Sequence, residues 1–194
     1  MSTQAHPGLT PHEYLKLERE AESKSEYLNG EILAMSGGTR RHNLIAANAV
    51  ASLHSQLRKR DCEVYGSDMR VKVVASGLYA YPDVSALCRE AAFEGHRQDV
   101  LLNPDLLVEV LSDSTEAYDR GEKSEHYRRI ETLGEYLLIS QNKRHLERFR
   151  RQPDGDWILA EFRLPGDVVQ LTSIDCRLLL SEIYAKVRLD SEPS

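Results

Sequence analysis

The chain has 194 residues, 41% hydrophobic and 29% charged, with a formal net charge of −6. Those figures suit one globular domain over 1–194, with a core of about 10–187. They exclude a basic nucleic-acid footprint spread over the whole surface, and no apolar run approaches the roughly 18 residues of a membrane span.

Residues 1–9 and 188–194 are expected to be loose ends. The opening MSTQAHPGLT lacks the basic-then-apolar pattern of a signal peptide. Thr10-Pro11-His12-Glu13 is a helix start: Thr caps, Pro suits the first turn and Glu13 closes a capping box. A helix of about ten residues should follow. Asn29-Gly30 within "EYLNGEILAM" predicts a hairpin over 26–35. Next, in "RRHNLIAANAVASLHSQLRKR", Leu44, Ala47, Val50, Ala51, Leu53 and Leu57 recur at helical spacing. Alternation over 68–75 sets Met69, Val71 and Val73 against Arg70 and Lys72, a half-buried strand. Further strands are expected at 81–87, 106–112 and 135–141, with a helix at about 119–132. A hairpin at 145–162, a strand near 168–171 and a helix at 178–187 close the chain. This order predicts an α/β (α+β) domain with a mixed sheet and packed helices. Cys62, Cys88 and Cys176 are odd in number without CxxC spacing. They predict neither a disulfide nor a zinc site, and the expected location is cytoplasmic.

One residue contradicts its surroundings. Glu109 sits inside "LLVEVLS", a strand that is otherwise apolar. Strand side chains alternate faces, so Leu107, Glu109 and Leu111 share one face and Val108 and Val110 the other. A buried, unpaired carboxylate costs several kcal/mol, so a basic partner, a backbone donor or a metal ion must hold it. Asp83 is a second such acid, placed by Pro82 at a strand entrance. In the next helix Lys123, Tyr127 and Ile130 share one face, which turns Lys123 toward the sheet. Two carboxylates suit Mg²⁺ or Mn²⁺, and a lysine can orient water or stabilise phosphate charge. That combination points to metal-assisted phosphodiester hydrolysis. His42 is a further candidate at the start of the long helix, and Glu26 or Glu31 could add a third acid. Trp157 is read as a packing anchor, and Tyr79 and Tyr81 as packing residues near the cleft.

The landmarks "KSEYLNGEILAMSGG", "RRHNLI", "DMRVKV", "YPDVSAL", "NPDLLVEVLS", "YDRGEKSEHYRRI" and "EYLLIS" give the chain a family likeness. It resembles the restriction-endonuclease-like proteins of the Uma-two type, a branch of the PD-(D/E)XK nuclease superfamily. The resemblance implies an αβββαβ core with extra terminal hairpins. It also implies that Asp83 and Glu109 hold the metal together with the carbonyl of Val110. The motif lysine is expected two residues after Glu109, where Leu111 stands; Lys123 matches branches that supply it from the next helix. His42 lies where many members carry an acidic helix residue.

The resulting expectation is a divalent-metal-dependent DNA endonuclease with Asp83, Glu109, Lys123 and His42 as catalytic residues. The alternatives are an inactive nucleic-acid-binding or regulatory module on the same fold, or a nuclease acting on RNA. Arg40, Arg41, Arg58 and Lys59 are candidate nucleic-acid contacts. A homodimer would double the basic surface and present two sites.

Overall fold

The computed structural model describes residues 3–5 and 8–189. Thr10 caps α1 (Pro11–Glu18) with the reciprocal Glu13 box expected from the sequence. The hairpin of β2 (Ser25–Leu28) and β3 (Glu31–Ala34) turns at Asn29 and Gly30, both at positive φ (50° and 94°). At the N-terminus, Thr3–Ala5 is not loose but forms β1, paired antiparallel with β3. The open backbone groups of that edge are satisfied by a neighbouring segment. At the other end Leu189 is buried, and residues 190–194 of the second expected loose end lie outside the described residues.

The long helix α2 (Arg40–Leu57) buries Ile45, Ala49, Leu53 and Leu57. Ala47 and Ala51, expected inward, are exposed. The i, i+4 row through Ile45 carries the larger side chains, so that row turns to the core.

Two six-stranded sheets follow instead of one. The smaller element run β4 (Glu63–Gly66) had no strong alternation in the sequence, yet it edges the main sheet. The expected strand at 68–75 is β5 (Arg70–Val73), which belongs to the second sheet with β6 (Leu78–Ala80) and β8 (Val100–Leu101). Arg70 there is buried, held by the Tyr81 hydroxyl and Asp99. The second sheet runs β1-β3-β2-β6-β5-β8. The main sheet adds β7 (Val84–Leu87), β9 (Leu106–Leu111), β10 (Glu135–Ser140), β11 (Leu146–Arg151) and β12 (Trp157–Phe162), in order β12-β11-β10-β9-β7-β4. Only β9 and β10 pair in parallel within it. The helix expected between them is broken at Gly121 into α3 (Glu116–Arg120) and α4 (Glu122–Tyr127). With α2 in front, this is the αβββαβ order. A small hairpin, β13 (Val168–Leu171) with β14 (Cys176–Leu179), and α5 (Leu180–Ile183) close the chain; β14 takes part of the expected terminal helix.

The strand parity read for β9 holds. Val108 and Val110 pack into one core with α2, α5 and the β13–β14 hairpin. Leu107 and Leu111 pack into another with Tyr127, Ile130, Tyr136 and residues of the second sheet. Trp157 packs against that second core with Arg151 over its ring. No described helix is long and apolar enough to cross a membrane.

The cysteine expectation is overturned: Cys62 and Cys88 form a disulfide. The β4–β7 register pairs Glu63 with Leu87, so the next residues outward, Cys62 and Cys88, face each other across the sheet. Sequence spacing carries no trace of that meeting. Closing a 26-residue separation removes unfolded-chain entropy equivalent to about 3 kcal/mol. Reduction should therefore lower the free energy of chemical unfolding by that much and shift the midpoint down accordingly, and equal midpoints with and without reductant would refute it.

Candidate metal and active site

Pro82 creates the centre of the site. Continuing the β7–β9 register past Val84↔Val108 would set residue 82 against Val110. Proline has no N–H to give, so the ladder stops there. The Val110 N–H turns instead to the carboxylate of Asp83, at 2.7 Å from Oδ2. The Val110 carbonyl, on the same side of its strand, meets His42 from the first turn of α2. His42 Nε2 also lies 3.2 Å from Asp83 Oδ2. Burial works against a charged His42, but the Asp83 hydrogen bond, the charges of Asp83 and Asp119 and the Val110 carbonyl prevail. The imidazolium is held above the ordinary histidine value.

Beside this group Glu109 points to the other face, 4% exposed. Its Oε1 accepts from the Tyr127 hydroxyl at 2.9 Å and lies 2.9 Å from Lys123 Nζ. The same ammonium reaches Glu26 Oε1 at 2.7 Å and Asp119 Oδ1 at 3.5 Å. Glu26 and Asp119 are 2% and 3% exposed. Burial pushes the Glu109 carboxyl well above its usual range; Lys123 opposes this, and Asp119, Asp83 and Glu26 add to it. Burial likewise raises Asp119. For Lys123, burial disfavours the charge, but Glu109, Glu26, Tyr127 and Asp119 outweigh it and keep the ammonium protonated. Asp83, Glu109, Lys123, His42, Glu26 and Asp119 all line one cavity of about 560 Å³.

The four residues singled out as catalytic are thus neighbours. Leu111, at the motif position of the lysine, is buried in the apolar core. Of the two further acids, Glu26 was one of two candidates for a third site acid and Asp119 was not foreseen. Glu26 arrives from the second sheet, and its Oε2 is buried without a hydrogen-bond partner. Asp119 arrives from α3, four residues before Lys123, a spacing that could have flagged it. Glu31 is exposed on the outer hairpin strand. Arg40 and Arg41 begin α2 near the cavity mouth, whereas Arg58 and Lys59 follow its C-terminal end. An 18-residue helix separates the two pairs by about 27 Å. A second cluster joins His145, just before β11, to Glu147 on β11 and Glu161 on β12. Arg120 and Arg163 already hold its two carboxylates.

The sequence model of the family named Uma2, described as "Putative restriction endonuclease", matches residues 11–178. The chain belongs to this family. Two Synechocystis proteins described as uncharacterized, slr1290 and sll1609, are relatives in sequence. The first is 35% identical over 178 residues, 92% of each chain. The second is 38% identical over 153 residues, 79% of this chain and 86% of the relative. Among solved structures, a nuclease-titled DUF820 protein of Anabaena variabilis superposes with a TM-score of 0.76 at 20% identity. That match covers 93% of this chain and 99% of the other. At that identity the likeness shows a shared fold alone.

Proposed function

We propose that this Uma2 chain is a divalent-metal-dependent endonuclease that hydrolyses phosphodiester bonds of DNA. One observation carries the proposal: three buried carboxylates, Glu26, Glu109 and Asp119, share the Lys123 ammonium, and a fourth, the half-buried Asp83, lines the same cavity beside His42. The deficit of positive charge, with Glu26 Oε2 buried and unpartnered, fits a hard cation held by oxygen. Asp83, Glu109 and the carbonyl of Val110 are the proposed holders of Mg²⁺ or Mn²⁺. Such an ion supplies a polarised phosphoryl oxygen and a more acidic water. Lys123 holds positive charge beside Glu109, where it can stabilise phosphate charge and orient a water. His42 fixes the Asp83 carboxylate and can carry a proton at Nε2. Arg40 and Arg41 are proposed to touch the nucleic acid near the cavity. Arg58 and Lys59 would contact only a strand long enough to reach the far end of α2.

A second reading has its own support. Lys123 and Glu109 form a buried ion pair 2.9 Å apart, and Leu111 occupies the motif lysine's place. Both suit an inactive binding or regulatory module. RNA as substrate would use the same groups. A cytoplasmic location belongs to the proposal too, and there the Cys62–Cys88 bond would stand reduced.

The test is incubation of the full chain with supercoiled plasmid, single-stranded DNA and RNA, with Mn²⁺ or with chelator, alongside Mn²⁺ calorimetry. Nicking of DNA that stops on chelation is the expected result. Mn²⁺ binding without cleavage of any substrate would favour the inactive module, and no Mn²⁺ binding would remove the metal reading.

A further inference from the structure

We infer that the free edge of β12 joins a second copy of this chain, strand to strand, about a two-fold axis at Leu159. The inference concerns a surface away from the acidic cavity and stands whether or not the chain cuts DNA.

β12 is an edge of the main sheet, six residues long. Its register with β11 runs unbroken from Leu146↔Phe162 to Arg151↔Trp157. It contains neither Pro nor Lys and has no bulge, devices that usually blunt an edge, and its one charge, Glu161, is paired within the chain to His145 and Arg163. It is also apolar on both faces: Ile158 is 50% and Leu159 46% exposed. The opposite edge of the sheet, β4, is four residues long and secured by the Cys62–Cys88 bond.

Backbone direction selects the pairing. The Arg151 N–H binds the Gly134 carbonyl and the His145 carbonyl accepts from Ser140 N–H, so odd-numbered residues of this stretch face β10. Leu146, Arg148 and Arg150 therefore face β12 and pair with Phe162, Ala160 and Ile158. Trp157, Leu159 and Glu161 are left with N–H and C=O directed outward. In an antiparallel ladder, outward residues must oppose outward residues. Centring the axis on Leu159 uses all three: Leu159 opposes its own copy, and Trp157 of each chain opposes Glu161 of the other.

Charge agrees with this register. One end of β12 is the exposed acidic turn Asp154-Gly155-Asp156, and the other leads to Arg163, whose guanidinium pairs with Glu161 of its own strand while the side chain stays 59% exposed. The Leu159 axis sets Arg163 of each copy opposite Gly155 of the other, between the two aspartates. A single strand thus carries both halves of a charge-complementary contact, which favours a second copy over an unrelated strand.

The test combines sedimentation velocity with single cysteines in the full chain. The wild type is expected to dimerise reversibly and Leu159→Lys, a change at an exposed position, to lose the dimer while keeping its circular dichroism. In a hydrogen-bonded pair the two Cα atoms lie about 5.5 Å apart, within disulfide reach. Leu159→Cys should therefore cross-link to its copy under mild oxidation. Ile158 opposes Ala160, leaving its own copy about 8 Å away, so Ile158→Cys should not. A wild type that stays monomeric, a Leu159→Lys dimer, or Ile158→Cys cross-linking as well as Leu159→Cys would each overturn the inference.

Discussion

Lys123→Met is expected to destabilise the metal-free protein by about 3–5 kcal/mol, the range found when one partner of a buried ion pair is removed. The side chain is 4% exposed and its ammonium touches Glu26, Glu109 and Asp119. Methionine fills much of the same volume, so the loss is of charge and not of packing. For a chain of this size each kcal/mol shifts the melting temperature by about 2–4 °C. The direction with pH follows from the sign of the shift. Lys123 is raised above its ordinary value in the folded state, so its contribution is complete below that value and fades as pH rises through the folded one. The deficit of the variant should accordingly be present at neutral pH and shrink only in strong alkali. Mn²⁺ gives a second readout. If the acids hold a cation, Lys123→Met has one positive charge fewer to repel it. Its melting temperature should then rise more with Mn²⁺ than that of the wild type. A variant as stable as the wild type would show that the ammonium is not holding the acids together.

That lysine also shows what a sequence can reveal of such a site. Its inward turn followed from a local rule, helical spacing to Tyr127, and the acid at 109 from strand parity; both are properties of a few consecutive residues. Asp83 was readable for the same reason, because Pro82 ends a ladder wherever it falls. Glu26 was readable only as an alternative to Glu31, since its place beside Lys123 depends on the second sheet folding over the first. The strand at 68–75 was expected in the main sheet for the matching reason: alternation reports a half-buried strand but not which sheet buries it. β4, whose four residues show little pattern, takes that place because β7 pairs with it. The Cys62–Cys88 bond is another product of that pairing. Even so, the order of helices and strands and the central acids were available before any long-range contact was known.

The largest effect on activity is expected at Asp83. Its Oδ2 serves the Val110 N–H and His42 at once, 2.7 and 3.2 Å away. Charge stabilisation by a catalytic metal is worth several kcal/mol, and at about 1.4 kcal/mol per tenfold its loss lowers the cleavage rate by about 10³-fold. Two substitutions separate chemistry from structure. Asp83→Ala removes both the charge and the acceptor for Val110, and should cost about 1.5–3 kcal/mol of stability as well. Asp83→Asn keeps an oxygen for the Val110 N–H, so it should fold nearly as well while losing the same activity and the same Mn²⁺ affinity. His42 reports on the change by NMR titration. In the wild type it is raised, and the stability it gives is complete below the ordinary histidine value and lost as pH rises through the folded one. Burial, no longer opposed by the Asp83 anion, should bring it down in both variants. Plasmid cleavage by Asp83→Asn at the wild-type rate, in Mn²⁺ and from a clean preparation, would place the chemistry somewhere other than this cavity.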